Sequence, residues 1–182
     1  MNLWINALAY QATWLVAIGG AARGWWWLGP MGATLFAIWQ LRVSLRHRAD
    51  ALLLLYAMAA GFAVDSAFAQ SGLIGYNASV PWPQLAPAWI VALWASFALT
   101  LNHSLAYLKT HLLLGAALGA LGAPLAYTAA AKWGALSLAQ PTSTSLLILA
   151  ATWAVFTPAL SLLAQRLHDG AAPAPLLQGA TR

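Results

Sequence analysis

The chain contains no cysteine, and only three of its 182 residues are acidic. Without a thiol it can form no disulfide, no thiolate nucleophile, no cysteine-ligated iron–sulfur cluster and no attached c-type haem. Charged residues make up 6% of the chain, whereas a soluble domain typically has about 25%. Hydrophobic residues make up 62%. So few charges cannot cover the surface of a water-soluble protein of this size, and the composition therefore predicts a membrane protein.

Missing residue types also exclude several functions. Four histidines and three acidic residues are too few for a histidine-rich di-iron site or an aspartate-rich magnesium site. The sequence has no phosphate-binding loop, no G-x-S-x-G nucleophile elbow and no lysine in the middle of an apolar run. We therefore predict no metal and no cofactor. The formal net charge is +5, but the basic residues lie at the ends of apolar runs, which argues against a nucleic-acid partner.

Six apolar runs are long enough to cross a membrane. A helical crossing needs roughly 20 apolar residues, and the qualifying runs are 3–22, 25–43, 51–73, 87–108, 111–133 and 143–165. We predict an all-α, polytopic bundle of six transmembrane helices within residues 1–167, with a turn at 46–50 between the second and third. An alanine- and proline-rich cytoplasmic tail at 168–182 is predicted to be disordered.

The distribution of lysine and arginine predicts the orientation, because these residues collect in cytoplasmic loops. With the amino terminus in the cytoplasm, six basic residues lie inside: Arg42, Arg46, Arg48, Lys109, Arg166 and Arg182. Only Arg23 and Lys132 then lie outside. We therefore predict that both termini are cytoplasmic.

Asp65 is the one carboxylate in the run 51–73. An ionisable group at membrane depth costs roughly 2.5–3.5 kcal/mol on insertion scales, so such residues usually face the bundle interior and are functional. Helical spacing places Gly61 and Phe68 on the same face as Asp65, and the glycine would admit a close neighbour. We predict that Asp65 is buried and protonated. The alternative is a hydrogen bond that only fixes helix packing.

Small residues form a second stripe, on the fifth run. Residues three or four apart share a helix face, and this stripe contains Gly115, Gly119, Gly122 and Ala126. Such a stripe predicts that another helix packs closely against this one.

His103 is the second ionisable residue of interest. The fourth run has a polar and aromatic stripe at helical spacing, consisting of Trp89, Ser96, Thr100, His103 and Tyr107. Near its cytoplasmic end we expect a cluster of Asn6, Tyr10, Asn102, His103 and Ser104, in which only the imidazole titrates near neutrality. The alternative is a histidine that is merely hydrogen-bonded at a helix end. His103 and Asp65 differ in depth by roughly 15 Å, which predicts two polar clusters, or one path joining them, rather than a direct pair.

These positions together resemble a known family. The most specific segment is TLNHSL at 100–105, preceded by Leu93-Trp94, and the sequence GAPLAY at 122–127 adds to it. The pattern resembles the bacterial inner-membrane family catalogued as domain of unknown function 2878. The resemblance implies a small multi-pass protein of the bacterial inner membrane, without an assigned activity and often encoded near lipid-modifying enzymes. By position it marks Asn6, Tyr10, Asp65, Trp94, Asn102, His103, Pro124 and Tyr127.

Three functions are compatible with this sequence. The first is binding or modifying an acyl or isoprenoid substrate in an intramembrane pocket, with Asp65 and His103 as catalytic proton donor and acceptor. Its substrate-binding residues would be Asn6, Tyr10, Trp94, Asn102 and Tyr127. The second is proton-coupled transport, with Asp65 titrating. The third is a non-catalytic assembly subunit. Membrane lipid is the expected partner, with a membrane-protein partner or a homo-oligomer as alternatives.

Overall fold

The computed structural model describes residues 3–170, which form a helical bundle with one small two-stranded sheet. The helices are α1 (Leu3–Ala22), α2 (Leu28–Val43), α3 (His47–Gln70), α4 (Ala88–Leu101), α5 (Leu112–Lys132) and α6 (Thr142–Gly170). A short 3-10 helix, Ala106–Lys109, follows α4. The strands β1 (Ile74–Tyr76) and β2 (Leu136–Leu138) pair antiparallel, with Gly75 opposite Ser137. The predicted all-α class and the six helices are confirmed.

Three of the helices, α3, α5 and α6, are long and apolar enough to cross a membrane. α4 is apolar but has only 14 residues. α2 has 16 residues and is thus about 24 Å long, short of a hydrocarbon core of about 30 Å. These lengths and compositions support a membrane-like bundle, with three helices of spanning length and composition among residues 3–170.

α4 is the central helix of the bundle. From Trp89 to Leu101 every residue except Val91 is buried, and the helix packs against α1, α2, α3 and α6. A helix that is apolar on all sides is expected in such a central position. Two buried apolar clusters include parts of it, one around Trp89 and Ile90 and the other around Trp94 and Leu101.

The predicted fourth span, 87–108, is wrong at its carboxyl end. α4 stops at Leu101, and the backbone N–H groups of His103 and Leu105 both bond to the carbonyl oxygen of Thr100, at 2.9 and 2.8 Å. His103 and Tyr107 therefore do not continue the helical face of Ser96 and Thr100. The turn instead lets residues 102–104 reach α1 and α3 with their side chains.

Glycine ends three of the helices at one end of the bundle. Gly24, Gly72 and Gly134 each lie two residues beyond the end of α1, α3 and α5, with φ of 79°, 71° and 84°. Glycine adopts this left-handed conformation without steric cost, which makes it a common helix terminator. We call this end, with Arg23 and the paired strands β1 and β2, the strand end. The opposite end, with Arg46, Lys109 and His168, is called the basic end.

Close helix contacts depend on two of the predicted glycines. A Cβ atom at Gly61 would lie 2.2 Å from Cγ of Trp94, and one at Gly119 would lie 2.2 Å from the backbone oxygen of Trp153. The close packing predicted for the α5 stripe is thus confirmed at Gly119. It is wrong at Gly122, where a Cβ atom would have no neighbour within 4 Å.

The end of α6 differs from the predicted tail. The helix continues to Gly170, so residues 168–170 are helical rather than disordered. The remainder of the predicted tail, 171–182, lies outside the described residues.

Candidate functional site

Asp65 is the centre of a polar cluster at the strand end. Its side chain is fully buried. Oδ1 accepts hydrogen bonds from the hydroxyl groups of Tyr76, at 2.5 Å, and Tyr127, at 2.7 Å. Oδ2 accepts one from Nε1 of Trp94, at 2.6 Å. The carboxyl group thereby connects α3 to β1, α4 and α5.

Only neutral donors surround Asp65 in the described part of the chain, where it forms no ion pair. Burial raises the pKa of Tyr76 well above its usual value, and the nearby Tyr127 and Asp65 raise it further. Tyr76 therefore keeps its hydroxyl proton, and its O–H group donates a hydrogen bond to the carboxyl group. The protonation state predicted for Asp65 stays a prediction.

Aromatic rings enclose the other side of this cluster. The Trp94 ring stacks on Trp153, with 4.5 Å between centroids, and meets Phe156 edge to face at 5.6 Å. Sequence reasoning identified Asp65, Trp94 and Tyr127, and the structure brings all three together. It missed Tyr76, because this residue lies in a connection between predicted spans and had no helical spacing to link it to Asp65.

A second polar cluster lies at the basic end, around His103. Nε2 of His103 is 2.8 Å from Oδ2 of Asp50. Nδ2 of Asn102 donates to Oδ1 of Asp50 at 2.9 Å, and Nζ of Lys109 donates to Oδ1 of Asn102 at 3.0 Å. The side chain of Asp50 is 1% exposed and that of His103 is 11% exposed. Burial lowers the pKa of Lys109, against the opposing effect of Asp169 and Asp50.

This cluster lines a cavity of about 240 Å³. The lining residues are Val43, Ser44, Leu45, Arg46, Asp50, Asn102, His103 and His168. Arg46 donates from Nη1 to the backbone oxygen of His168, which joins the α2–α3 connection to the end of α6. Two apolar side chains, Val43 and Leu45, are exposed beside the cavity.

Asp50 was missed because the sequence reading placed it in a turn. α3 begins at His47, four residues before the predicted span, so Asp50 lies in the first helical turn, where a negative charge is favourable. Asp50, Leu53, Ala57, Gly61 and Asp65 are all buried and recur at three or four residues. Extending this stripe towards the amino terminus was the sequence signal that could have found Asp50.

Asn6 lies next to the second cluster but makes contacts of its own. Its Nδ2 donates to Oε1 of Gln40 at 2.7 Å and to the backbone oxygen of Leu99 at 3.1 Å. Its Oδ1 accepts from the hydroxyl and backbone N–H of Ser104, at 2.5 and 3.3 Å. The buried amide is thus used on both sides, which favours a structural role over the predicted substrate contact. Tyr10 packs its ring against Phe97 instead.

The two ionisable clusters are far apart. Asp50 and Asp65 are fifteen positions apart on α3, which corresponds to about 22 Å. Leu53 and Ala57 lie between them and belong to a buried apolar cluster with Trp94 and Leu101. This packing favours two separate polar clusters over one continuous path.

Among residues 3–170, no three His, Cys, Asp or Glu side chains come together where they could hold a metal ion. The arrangement at His103 instead resembles a general acid–base site, in which a carboxylate orients an imidazole beside a cavity. Residues 3–159 match the family described as "Protein of unknown function (DUF2878)", and the chain belongs to this family. No curated protein and no solved structure matches the chain.

Proposed function

We propose that the protein binds a lipid-like molecule in the cavity at the basic end and that His103 moves a proton to or from it. One observation carries this proposal: the imidazole of His103, held 2.8 Å from the carboxylate of Asp50, lines a cavity. His103 is the proposed catalytic residue. Asp50 is a positioning residue that acts through it.

The pairing defines which ring nitrogen is used. When Nε2 carries the proton, its N–H group donates a hydrogen bond to Asp50. Nδ1 then has a free lone pair and can accept a proton from a bound molecule. Asp50 also stabilises the imidazolium ion that results. Asn102 holds the second oxygen of Asp50 and Lys109 holds Asn102, so the carboxylate is fixed from both sides.

A lipid-like substrate suits the size and the surroundings of the cavity. At about 240 Å³ it is smaller than the roughly 300–1,000 Å³ of sites that enclose a drug-sized molecule. It has room for a polar head group, while an acyl or isoprenoid chain would extend outside. Leu45, fully exposed, and Val43, 43% exposed, provide an apolar surface for such a chain.

We further propose that all six helices lie in a bacterial inner membrane, with the basic end in the cytoplasm. The described residues at that end include five arginines and lysines (Arg42, Arg46, Arg48, Lys109 and Arg166), whereas the strand end has Arg23 and Lys132. This asymmetry supports a cytoplasmic basic end. Exposed leucines on α5 and α6, including Leu113, Leu125 and Leu147, support contact with lipid.

Asp65 is left out of the proposed chemistry. It is fully buried among three donors, and apolar packing separates it from His103. A proton-coupled transporter in which Asp65 relays protons would need polar groups across that packing. We therefore propose that Asp65 has a structural role and connects strand β1 to the helices.

The test is lipid analysis, by mass spectrometry, of cells that produce the protein. We expect the wild-type protein to change the lipid profile and His103→Gln to abolish the change, because glutamine cannot accept the proton. The matched control is His111→Gln. His111 is exposed and stacks on Tyr107, outside the cavity lining, so this variant should act as wild type. A folded His103→Gln protein with wild-type effect would contradict the proposal.

A further inference from the structure

The cavity at the basic end also contains Arg46, which forms no ion pair with an acidic side chain among residues 3–170. Resting on the function proposed above, we infer that the head group bound there is an oxyanion, a carboxylate or a phosphate, held by Arg46 beside His103. The ligand is thus an anionic amphiphile rather than a neutral lipid. Three observations support this: Arg46 lines the cavity, both oxygens of Asp50 are hydrogen-bonded, and an apolar surface lies next to the cavity.

Arg46 is held in place but is largely free to donate. It is half-buried, and one of its N–H groups bonds to the backbone oxygen of His168. A guanidinium group has five N–H donors, and contacts within residues 3–170 use one of those of Arg46. These are arranged in a planar fork that matches two oxygens of a carboxylate or phosphate. In the part of the chain that the structure describes, Arg46 forms no ion pair with an acidic side chain.

Asp50 lines the same cavity but does not present a free negative charge to it. Its two oxygens are bound by Asn102 and His103, and its side chain is 1% exposed. An anion that enters beside Arg46 therefore meets a carboxylate already paired with donors. Beyond the cavity, Arg42, Arg48 and Arg166 are exposed at the same end, and their field raises the local concentration of anions.

A neutral head group would fit this cavity less well. An alcohol or an ester could accept a hydrogen bond from Arg46, but the half-buried charge would remain uncompensated. An oxyanion supplies both the charge and two acceptors, and such charge-assisted bonds are roughly twice as strong as neutral ones. The exposed Val43 and Leu45 then favour an oxyanion that is attached to an apolar chain over a free one.

The inference is tested by isothermal titration of the purified full-length protein in a neutral maltoside detergent. The probes are oleate, oleoyl lysophosphatidic acid, monoolein and inorganic phosphate. We expect at least one of the two anionic amphiphiles to bind about tenfold or more tightly than monoolein, since only these compensate Arg46. Inorganic phosphate should bind more weakly than the lysophospholipid because it has no chain. Equal binding of the anionic amphiphiles and monoolein would overturn the head-group assignment. Phosphate binding as tight as that of the lysophospholipid would overturn the amphiphile.

Variants connect this binding to Arg46. Arg46→Gln should weaken the anionic amphiphile about tenfold or more and leave monoolein unchanged, whereas Arg46→Lys should retain part of the affinity. The matched control is Arg48→Gln, which removes an exposed charge two residues away. Because salt screens an exposed charge, this variant should weaken binding of the anionic amphiphile by much less than Arg46→Gln does. Unchanged binding by Arg46→Gln would contradict the inference. If Arg46→Gln does not fold, Arg46→Lys and the comparison of probes on wild-type protein decide.

The titration also separates this inference from the proposed proton transfer. His103→Gln should still bind the anionic amphiphile within a few-fold of wild type, because Arg46 is intact. Binding by this variant together with an unchanged lipid profile in wild-type cells would remove the chemistry and leave the binding site. A changed lipid profile together with equal binding of oleate, lysophosphatidic acid and monoolein would remove the head-group class and leave the chemistry.

Discussion

Asp50 and Asp65 lie on one buried face of α3 and have different surroundings. Asp65 receives hydrogen bonds from two hydroxyl groups and an indole, none of which exchanges a proton readily near neutral pH. Asp50 is paired with an imidazole, whose ring nitrogens can both donate and accept a proton. The partners of each carboxylate, rather than its depth in the bundle, therefore explain why the proposed proton transfer uses Asp50 and not Asp65.

Asp65→Asn should lower the stability of the fold. Asparagine retains one acceptor oxygen, but its NH₂ group would face either the indole N–H of Trp94, which can only donate, or the two tyrosine hydroxyls. We expect a loss of about 1–3 kcal/mol, the usual range for a buried polar group left without a partner. Thermal unfolding in detergent measures it.

The control for this substitution is Asp169→Asn. The side chain of Asp169 is 69% exposed, so its change should leave the unfolding temperature within error of wild type. An Asp65→Asn protein as stable as Asp169→Asn would show that the hydrogen bonds to Asp65 do not hold strand β1 to the helices.

The candidate site could be predicted from the sequence only in part. A lone charge in an apolar run identified Asp65, and a histidine on the polar stripe of the fourth run identified His103. The proximity of Asn6 and Ser104 also followed, and it is confirmed. Asp50 was missed as their neighbour because the predicted span began four residues after the start of α3. Pairings across helices, such as Gln40 with Asn6, have no signal in a single sequence.

At the scale of helices, apolar length predicted the elements well. The bounds of α1, α5 and α6 at the strand end agree with the predicted runs to within about one residue, because a glycine or a proline lies in each turn there. The prediction failed where composition does not distinguish a helix from a turn. The segment 102–108 has apolar and polar residues in helical spacing. Residues 102–105 nevertheless form a turn, with Asn102 and His103 in contact with Asp50, and the 3-10 helix Ala106–Lys109 follows it.

Gly119 and Gly122 of α5 make a matched pair for testing helix contact. Gly119→Ala would place a Cβ atom 2.2 Å from the backbone oxygen of Trp153. Because a backbone atom cannot turn aside, α5 and α6 must separate, at a cost of about 1–3 kcal/mol. Gly122→Ala meets no atom within 4 Å and should be neutral or stabilising by up to about 1 kcal/mol through helix propensity.

Thermal unfolding of the two alanine variants under identical conditions measures this difference. We expect the unfolding temperature of Gly119→Ala to fall below wild type and that of Gly122→Ala to stay level or rise. Equal temperatures for the two variants would mean that the α5–α6 crossing is looser than the structure has it.

At the scale of the whole molecule, charge divides the bundle into two ends with different contents. The basic end has the cavity, the imidazole and most of the described basic residues. The strand end has Arg23, Lys132 and both strands, and Asp65 is hydrogen-bonded to Tyr76 of β1 there. In the proposed orientation the cavity opens at the cytoplasmic surface, where anionic lipid head groups attract arginine and lysine.

The absence of cysteine makes this orientation simple to test. His47→Cys places a thiol at the basic end and Gln84→Cys places one at the strand end, and both positions are exposed. We expect a membrane-impermeant maleimide to label Gln84→Cys in intact cells with a permeable outer membrane. His47→Cys should be labelled only after the inner membrane is opened. The reverse pattern would invert the proposed topology.

In the proposed function, proton transfer depends on the pair of Asp50 and His103 and not on Asp65. The most direct measurement is the lipid profile of cells that produce Asp50→Asn, Asp50→Glu and Asp65→Asn at matched levels of folded protein. We predict that Asp50→Asn abolishes the effect of the wild-type protein, that Asp50→Glu retains part of it by keeping the carboxylate, and that Asp65→Asn keeps it. Loss with Asp65→Asn and full effect with Asp50→Asn would contradict the account.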